Sequence, residues 1–125
     1  MTKIAIIGAG LAGLTAAHDL KEHASVTLYE KSRGVGGRLA TRRAEPFAFD
    51  HGAQFFKARS KAFMDFIDPM IQDGTVQRWD ARFAEIEGST LVNSKQWGEA
   101  LPHYVGAPSM SCLLYTSDAA DEHSW

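Results

Sequence analysis

Apolar residues dominate the first thirty positions in two different rhythms. Lys3-Ile-Ala-Ile-Ile7 is a continuous apolar run that stops at Gly8, the pattern of a strand buried in a parallel sheet. From Leu11 to about Glu22 the period becomes helical. Ala12, Ala16 and Leu20 share a face with Gly13 and Ala17, while Thr15, His18, Asp19 and Glu22 lie opposite. The small residues of that face predict a helix that approaches its sheet closely. Val26-Thr-Leu-Tyr-Glu30 reads as a second strand. Strand, glycine turn, helix and strand form a βαβ unit with a right-handed crossover, so the expected fold class is α/β and Rossmann-like.

The pattern is less regular downstream. Lys31 to Arg43 holds five basic residues and no acid. Phe47 to Phe56 reads as a short extended segment around Asp50-His-Gly-Ala-Gln54. Ser60 is placed to cap a helix whose apolar residues are Phe63, Phe66, Ile67, Met70 and Ile71. Pro69 predicts a kink or break in that helix, and Gly74 its end. Three strand-like runs follow, Thr75–Trp79, Arg82–Ile86 and Thr90–Asn93, the last two joined by a turn at Gly88-Ser89. No internal repeat and no low-complexity linker is visible.

Composition narrows the function classes. The chain has 125 residues, 45% hydrophobic and 22% charged, which fits one globular domain. Thirteen Lys and Arg against 15 Asp and Glu leave a net charge of −2, which argues against a strongly basic nucleic-acid binder and a highly charged disordered chain. The single cysteine, Cys112, excludes an internal disulfide and a Cys-rich zinc site. The histidines show no metal-ligand spacing, and His18 and His23 read as helix-surface residues. The apolar stretch Ile4 to Ala17 contains three glycines and is too short to span a bilayer, so neither a membrane anchor nor a secretory signal is expected and the default compartment is the cytoplasm.

The chemistry lies in the turns. Gly8-Ala9-Gly10-Leu11-Ala12-Gly13 fits G-x-G-x-x-G, follows a strand and opens a helix. Gly8 allows the tight turn, Gly10 lets backbone approach a pyrophosphate, and Gly13 lets the helix pack on the strand. The helix N-terminus presents free N–H groups to the phosphates. Glu30, at the end of the second strand, is placed to accept the hydroxyls of an adenosine ribose. Its charge opposes the 2′-phosphate of NADP, although Lys31 and Arg33 soften that exclusion. NAD and FAD both carry this ribose. Gly36-Gly37-Arg38 offers a second close backbone approach beside a guanidinium, which suits the longer body and doubly charged pyrophosphate of FAD.

Together, Gly8–Gly13, Glu30-Lys-Ser-Arg33, Gly36-Gly37-Arg38 and Asp50-His-Gly-Ala-Gln-Phe55 resemble the start of an FAD-dependent amine-oxidase-type flavoprotein. Trp79 and Tyr104-Val-Gly-Ala-Pro-Ser-Met-Ser111 further resemble its renalase-like bacterial branch. The resemblance implies that His51, Gly52, Ala53, Gln54 and Phe55 run along the flavin. It implies an FAD-binding part over residues 1–57 and the beginning of an α+β substrate domain over 58–111. The family's chains are longer, so an incomplete, N-terminal piece of an oxidoreductase is expected, inactive by itself. Residues 112–125 depart from the family and resemble the translated read-through of a sequencing adapter, so a non-native tail is expected there.

The implied activity is hydride transfer from a small dihydronicotinamide-type or amine substrate to FAD and then to oxygen. Trp79 and Trp97 are candidates for lining a substrate pocket, with packing in a core as the commoner role for such residues. No catalytic residue is assigned, and neither nucleic acid nor membrane is an expected partner. Two alternatives are an NAD-binding dehydrogenase module and a short non-catalytic dinucleotide-binding protein. A copurifying flavin separates the first from an FAD protein.

Overall fold

The computed structural model describes residues 1–114, which fall into two units: residues 1–54 together with 108 onward, and residues 55–107. The expected divisions after residues 57 and 111 lie three to four residues beyond these boundaries.

In the first unit, β1 (Lys3–Ile7) pairs in parallel with β2 (Ser25–Tyr29), in register from Lys3 opposite Ser25 to Ile7 opposite Tyr29. Helix α1 (Leu11–Leu20) connects them, which is the βαβ unit read from the apolar rhythm. It buries Leu14 and Ala17 and partly covers Gly13, Ala16 and Leu20. Ala12, expected on this inner face, is exposed. The contacting stripe centres on Gly13 and Ala17, and Ala12 sits well to its side at 100° per residue. The expectation of a fully buried strand holds for one face of β1 only. Ile4 and Ile6 are partly covered, but Lys3, Ala5 and Ile7 are exposed, Ile7 at 82%. Among the described residues no third strand pairs with this sheet, and the exposed Lys3, Ala5 and Ile7 leave its second face open.

A 3-10 turn at Gly37–Leu39 precedes an antiparallel hairpin of β3 (Thr41–Ala44) and β4 (Phe47–Asp50), in which Thr41 faces Asp50. β3 begins at the end of the basic stretch Lys31–Arg43, where the sequence shows no strand pattern. A second 3-10 turn, Met110–Leu114, buries Met110, Ser111 and Leu114 in the same unit. Of the expected non-native tail, Cys112–Leu114 belong to this turn, and residues 115–125 lie outside the described residues.

The second unit is built on a three-stranded antiparallel sheet. Its centre is β9 (His103–Gly106), flanked by β5 (Phe56–Lys57) and β6 (Val76–Arg78). Helix α2 (Lys61–Gln72) packs on β6, with Ile67 and Val76 almost fully buried. It runs unbroken through Pro69, so of the expected kink or break the break does not occur. Pro69 stands in the last turn, where the missing N–H removes one helical bond and no further turn depends on it. Gly74 follows the helix with φ +83, as its position at the helix end predicts. A hairpin of β7 (Arg82–Glu87) and β8 (Thr90–Gln96), turning at Gly88-Ser89, completes the unit.

The Ser60 hydroxyl accepts the Phe63 N–H at 3.1 Å and caps α2 as expected. Ser60→Ala should therefore lower the unfolding free energy of this unit by about 1 kcal/mol, measured by urea denaturation.

Candidate functional site

The end of β1 makes an open cradle. Gly8 turns the chain with φ +98, and its N–H donates to the Tyr29 carbonyl at 2.7 Å, fixing the turn to β2. Gly10 is the N-cap of α1, and no side chain caps the helix. The first helical bond runs from the Leu14 N–H to the Gly10 carbonyl at 3.0 Å. The N–H groups of Leu11, Ala12 and Gly13 precede that bond, so α1 itself supplies them no acceptor. No acidic residue stands in the first turn. A Cβ built on Gly10 would meet no protein atom within 4 Å. An uncapped, positively polarised helix end over open space is what a pyrophosphate requires. The residues present therefore fit the phosphate part of a dinucleotide.

Glu30 is bonded within the protein through both carboxylate oxygens. One carboxylate oxygen accepts the Ala9 N–H at 2.8 Å and the other the Ser32 N–H at 2.9 Å. The side chain thus clasps the glycine turn to the segment after β2. Each oxygen retains a lone pair for a ribose hydroxyl, so the clasp leaves that role open. The Ser32 N–H first, and the Ala9 N–H after it, hold the carboxyl below its ordinary value of 4.5. Glu30 is therefore ionised at neutral pH.

A carboxylate with a lowered folded-state pKa stabilises above its ordinary value, and that stabilisation is lost as the pH falls through the lowered value. The wild-type chain should be more stable than Glu30→Gln at about pH 7, and the difference should shrink as the pH falls below the ordinary carboxyl value of 4.5, read from urea midpoints. A gap independent of pH would show that the charge is not what holds the turn.

The glycine doublet is bound to this turn. The Gly36 N–H donates to the Ala9 carbonyl at 2.7 Å, and Gly10 and Gly36 form a parallel bridge. Gly36 and Gly37 have φ of +115 and +54. Lys31, Arg33 and Arg38 are exposed and make no ion pair among the described residues. Their guanidinium and ammonium groups remain available to an anion.

The segment after β4 lies along this arm. The Ala53 N–H donates to the Arg38 carbonyl at 2.8 Å, and a Cβ on Gly52 would collide with that same carbonyl. His51 and Gln54 are exposed beside it in sequence. Residues 8–13, 30, 36–38 and 52–53 are thus joined in one unit by backbone bonds and the Glu30 carboxylate. Phe55 belongs to the second unit, where its ring lies 4.8 Å from Trp97 and 5.2 Å from His103. Trp97 stacks on the buried His103 ring at 3.8 Å, and Trp79 meets Trp97 edge-on at 5.4 Å. These tryptophans pack in an aromatic cluster.

Asp50 and Thr41 carry roles the sequence did not indicate. The Thr41 hydroxyl donates to Asp50 Oδ1 at 2.6 Å, and the Asp50 carboxylate accepts the Met110 N–H at 3.2 Å. The one available signal was Asp50 itself, an acid at the head of an otherwise uncharged motif.

Comparisons with known proteins agree with this geometry. The profile of the NAD(P)-binding Rossmann-like domain matches residues 6–69, just over half of the chain. A mouse protein named prenylcysteine oxidase 1-like is 41% identical over 69 residues, covering 52% of this chain and 14% of that protein. A 4,4'-diapophytoene desaturase of Staphylococcus haemolyticus is 38% identical over 77 residues, covering 52% of this chain and 15% of the desaturase. A crystal structure from Exiguobacterium, assigned as a protoporphyrinogen oxidase, superposes with a TM-score of 0.50 at 25% identity. That match covers 65% of this chain and 19% of the other. The matched stretch thus spans about one seventh of the curated relatives. Among the described residues no helix is long and apolar enough to cross a membrane.

Proposed function

Because the chain belongs to the NAD(P)-binding Rossmann-like domain family, we propose that its first unit holds the ADP half of FAD in a flavin-dependent oxidoreductase. The observation that carries this reading is the uncapped N-terminus of α1, clasped by Glu30 and bridged to the Gly36–Gly37 arm. The amides of Leu11, Ala12 and Gly13 face the pyrophosphate, Glu30 takes the ribose hydroxyls, and Arg38 meets the second phosphate charge. Gly52, Ala53 and Gln54 pass the flavin. The Glu30 charge disfavours a 2′-phosphate, which argues against NADP in this position.

Bound FAD supplies hydride acceptance from a dihydronicotinamide-type or amine substrate, with oxygen as the final acceptor. The similar proteins named as oxidases and desaturases support redox chemistry. The renalase-like branch rests on Trp79 and Tyr104–Ser111. The substrate and the second half of the active site belong to the whole protein, of which this chain carries the cofactor end.

The nucleotide released on denaturing the purified protein tests this reading. FAD is the expected product by chromatography. NAD in its place would favour a dehydrogenase module, and NADP would contradict the role given to Glu30.

A further inference from the structure

Asp50 sits half-buried at the end of β4, immediately before His51–Gln54. Its carboxylate reaches across 60 positions of chain to the Met110 N–H, with both oxygens 3.2 Å from that nitrogen. Its strand partner Thr41 donates its hydroxyl to Asp50 at 2.6 Å and accepts the Ser111 N–H at 3.2 Å. Met110 and Ser111 are both buried, so their amides require these acceptors. Leu114, at the end of the same turn, is buried with its side chain against Gly36. The opposite end of the network is equally fixed: two and three residues after Asp50, Gly52 and Ala53 abut the Arg38 carbonyl. A hydroxyl and a carboxylate thus join the hairpin to the 110–114 turn, and the Ala53–Arg38 backbone bond joins the segment after β4 to the glycine-doublet arm.

We propose that Asp50 is a positioning residue which, with Thr41, couples the order of residues 110–111 to dinucleotide binding along residues 51–54. This rests on the functional reading above. Binding against Gly52–Gln54 stiffens β4, and the Asp50–Thr41 pair transmits that stiffening to the Met110 and Ser111 amides. Reciprocally, loosening those amides weakens binding by the same factor.

Amide hydrogen exchange of the 125-residue chain, with FAD as the probe, tests the coupling. In the wild type, FAD should raise the protection of Met110 and Ser111 by about tenfold or more. Asp50→Ala and Thr41→Val should each remove most apo-state protection at these two amides and weaken FAD binding about tenfold. Thr41→Ser, which keeps the hydroxyl, should restore both. Unchanged protection at the Ile6 and Leu28 amides verifies that each variant is folded. Full protection of Met110 and Ser111 in Asp50→Ala would overturn the network. Lost protection with unaltered FAD affinity would reduce Asp50 to a local structural bond and overturn the coupling. Failure of the functional reading looks different: the wild type itself would bind no FAD, and the coupling would fall with it.

Discussion

Gly10→Val should abolish dinucleotide binding while leaving the chain folded. The two effects separate because of where the new side chain goes. Gly10 has φ −80 and ψ −176, an extended conformation that valine adopts without strain. A Cβ there meets no protein atom within 4 Å, so folding has nothing to resist. Gly10 is the N-cap of α1, next in the chain to the Leu11, Ala12 and Gly13 amides where the pyrophosphate would rest. The branched side chain fills that space. The expected loss is at least about a hundredfold in FAD affinity, roughly 3 kcal/mol or more. The thermal midpoint should stay close to that of the wild type. Full flavin occupancy in this variant would refute the assignment of the turn.

Gly13→Ala should have the opposite profile, a large loss of stability. A Cβ on Gly13 collides with the Gly8 carbonyl oxygen and lies 3.2 Å from its carbon and 3.4 Å from Ile6 Cγ2. The Gly8 backbone cannot yield freely, since its N–H is bonded to the Tyr29 carbonyl at 2.7 Å. Relief requires α1 to lift from β1, which uncovers Leu14 and Ala17. Overpacking of this kind costs about 3 kcal/mol. It outweighs the gain of about 1 kcal/mol from replacing glycine in a helix interior. Denaturant unfolding should show a clear drop in midpoint. A rise would mean that the close approach of helix and strand is not as described.

These two glycines also show why part of the chain was readable in advance. The βαβ unit depends on contacts between neighbours in sequence, and its period change at Gly8 marks the turn. The spacing of Gly8, Gly10 and Gly13 carries its own geometric meaning. Ser60 and Gly74 bound α2 through local bonds, so they too were visible. What escaped is non-local. His103–Gly106 becomes a central strand through pairing with Phe56–Lys57 and Val76–Arg78, partners far away in the chain. Arg42 and Arg43 end a basic stretch without a strand pattern, and only the pairing of Thr41–Ala44 with Phe47–Asp50 makes them a strand. The bond from Asp50 to Met110 spans 60 residues and has no sequence signature. The position of Glu30 after β2 points to a ligand; its bonds to Ala9 and Ser32 emerge only when the turn is folded against β2. The full burial expected of β1 failed because apolar rhythm reports that a strand has two apolar faces, not what covers each.

In the proposed function the turn at Gly8–Gly13, clasped by Glu30, binds the ADP half of FAD. Calorimetric titration of the chain with FAD, repeated in the presence of ADP-ribose and of NADP, probes this site. Saturable binding of one FAD per chain is expected, displaced by ADP-ribose and far less by NADP. Binding of FAD that ADP-ribose does not displace, or preferential binding of NADP, would contradict the proposed function.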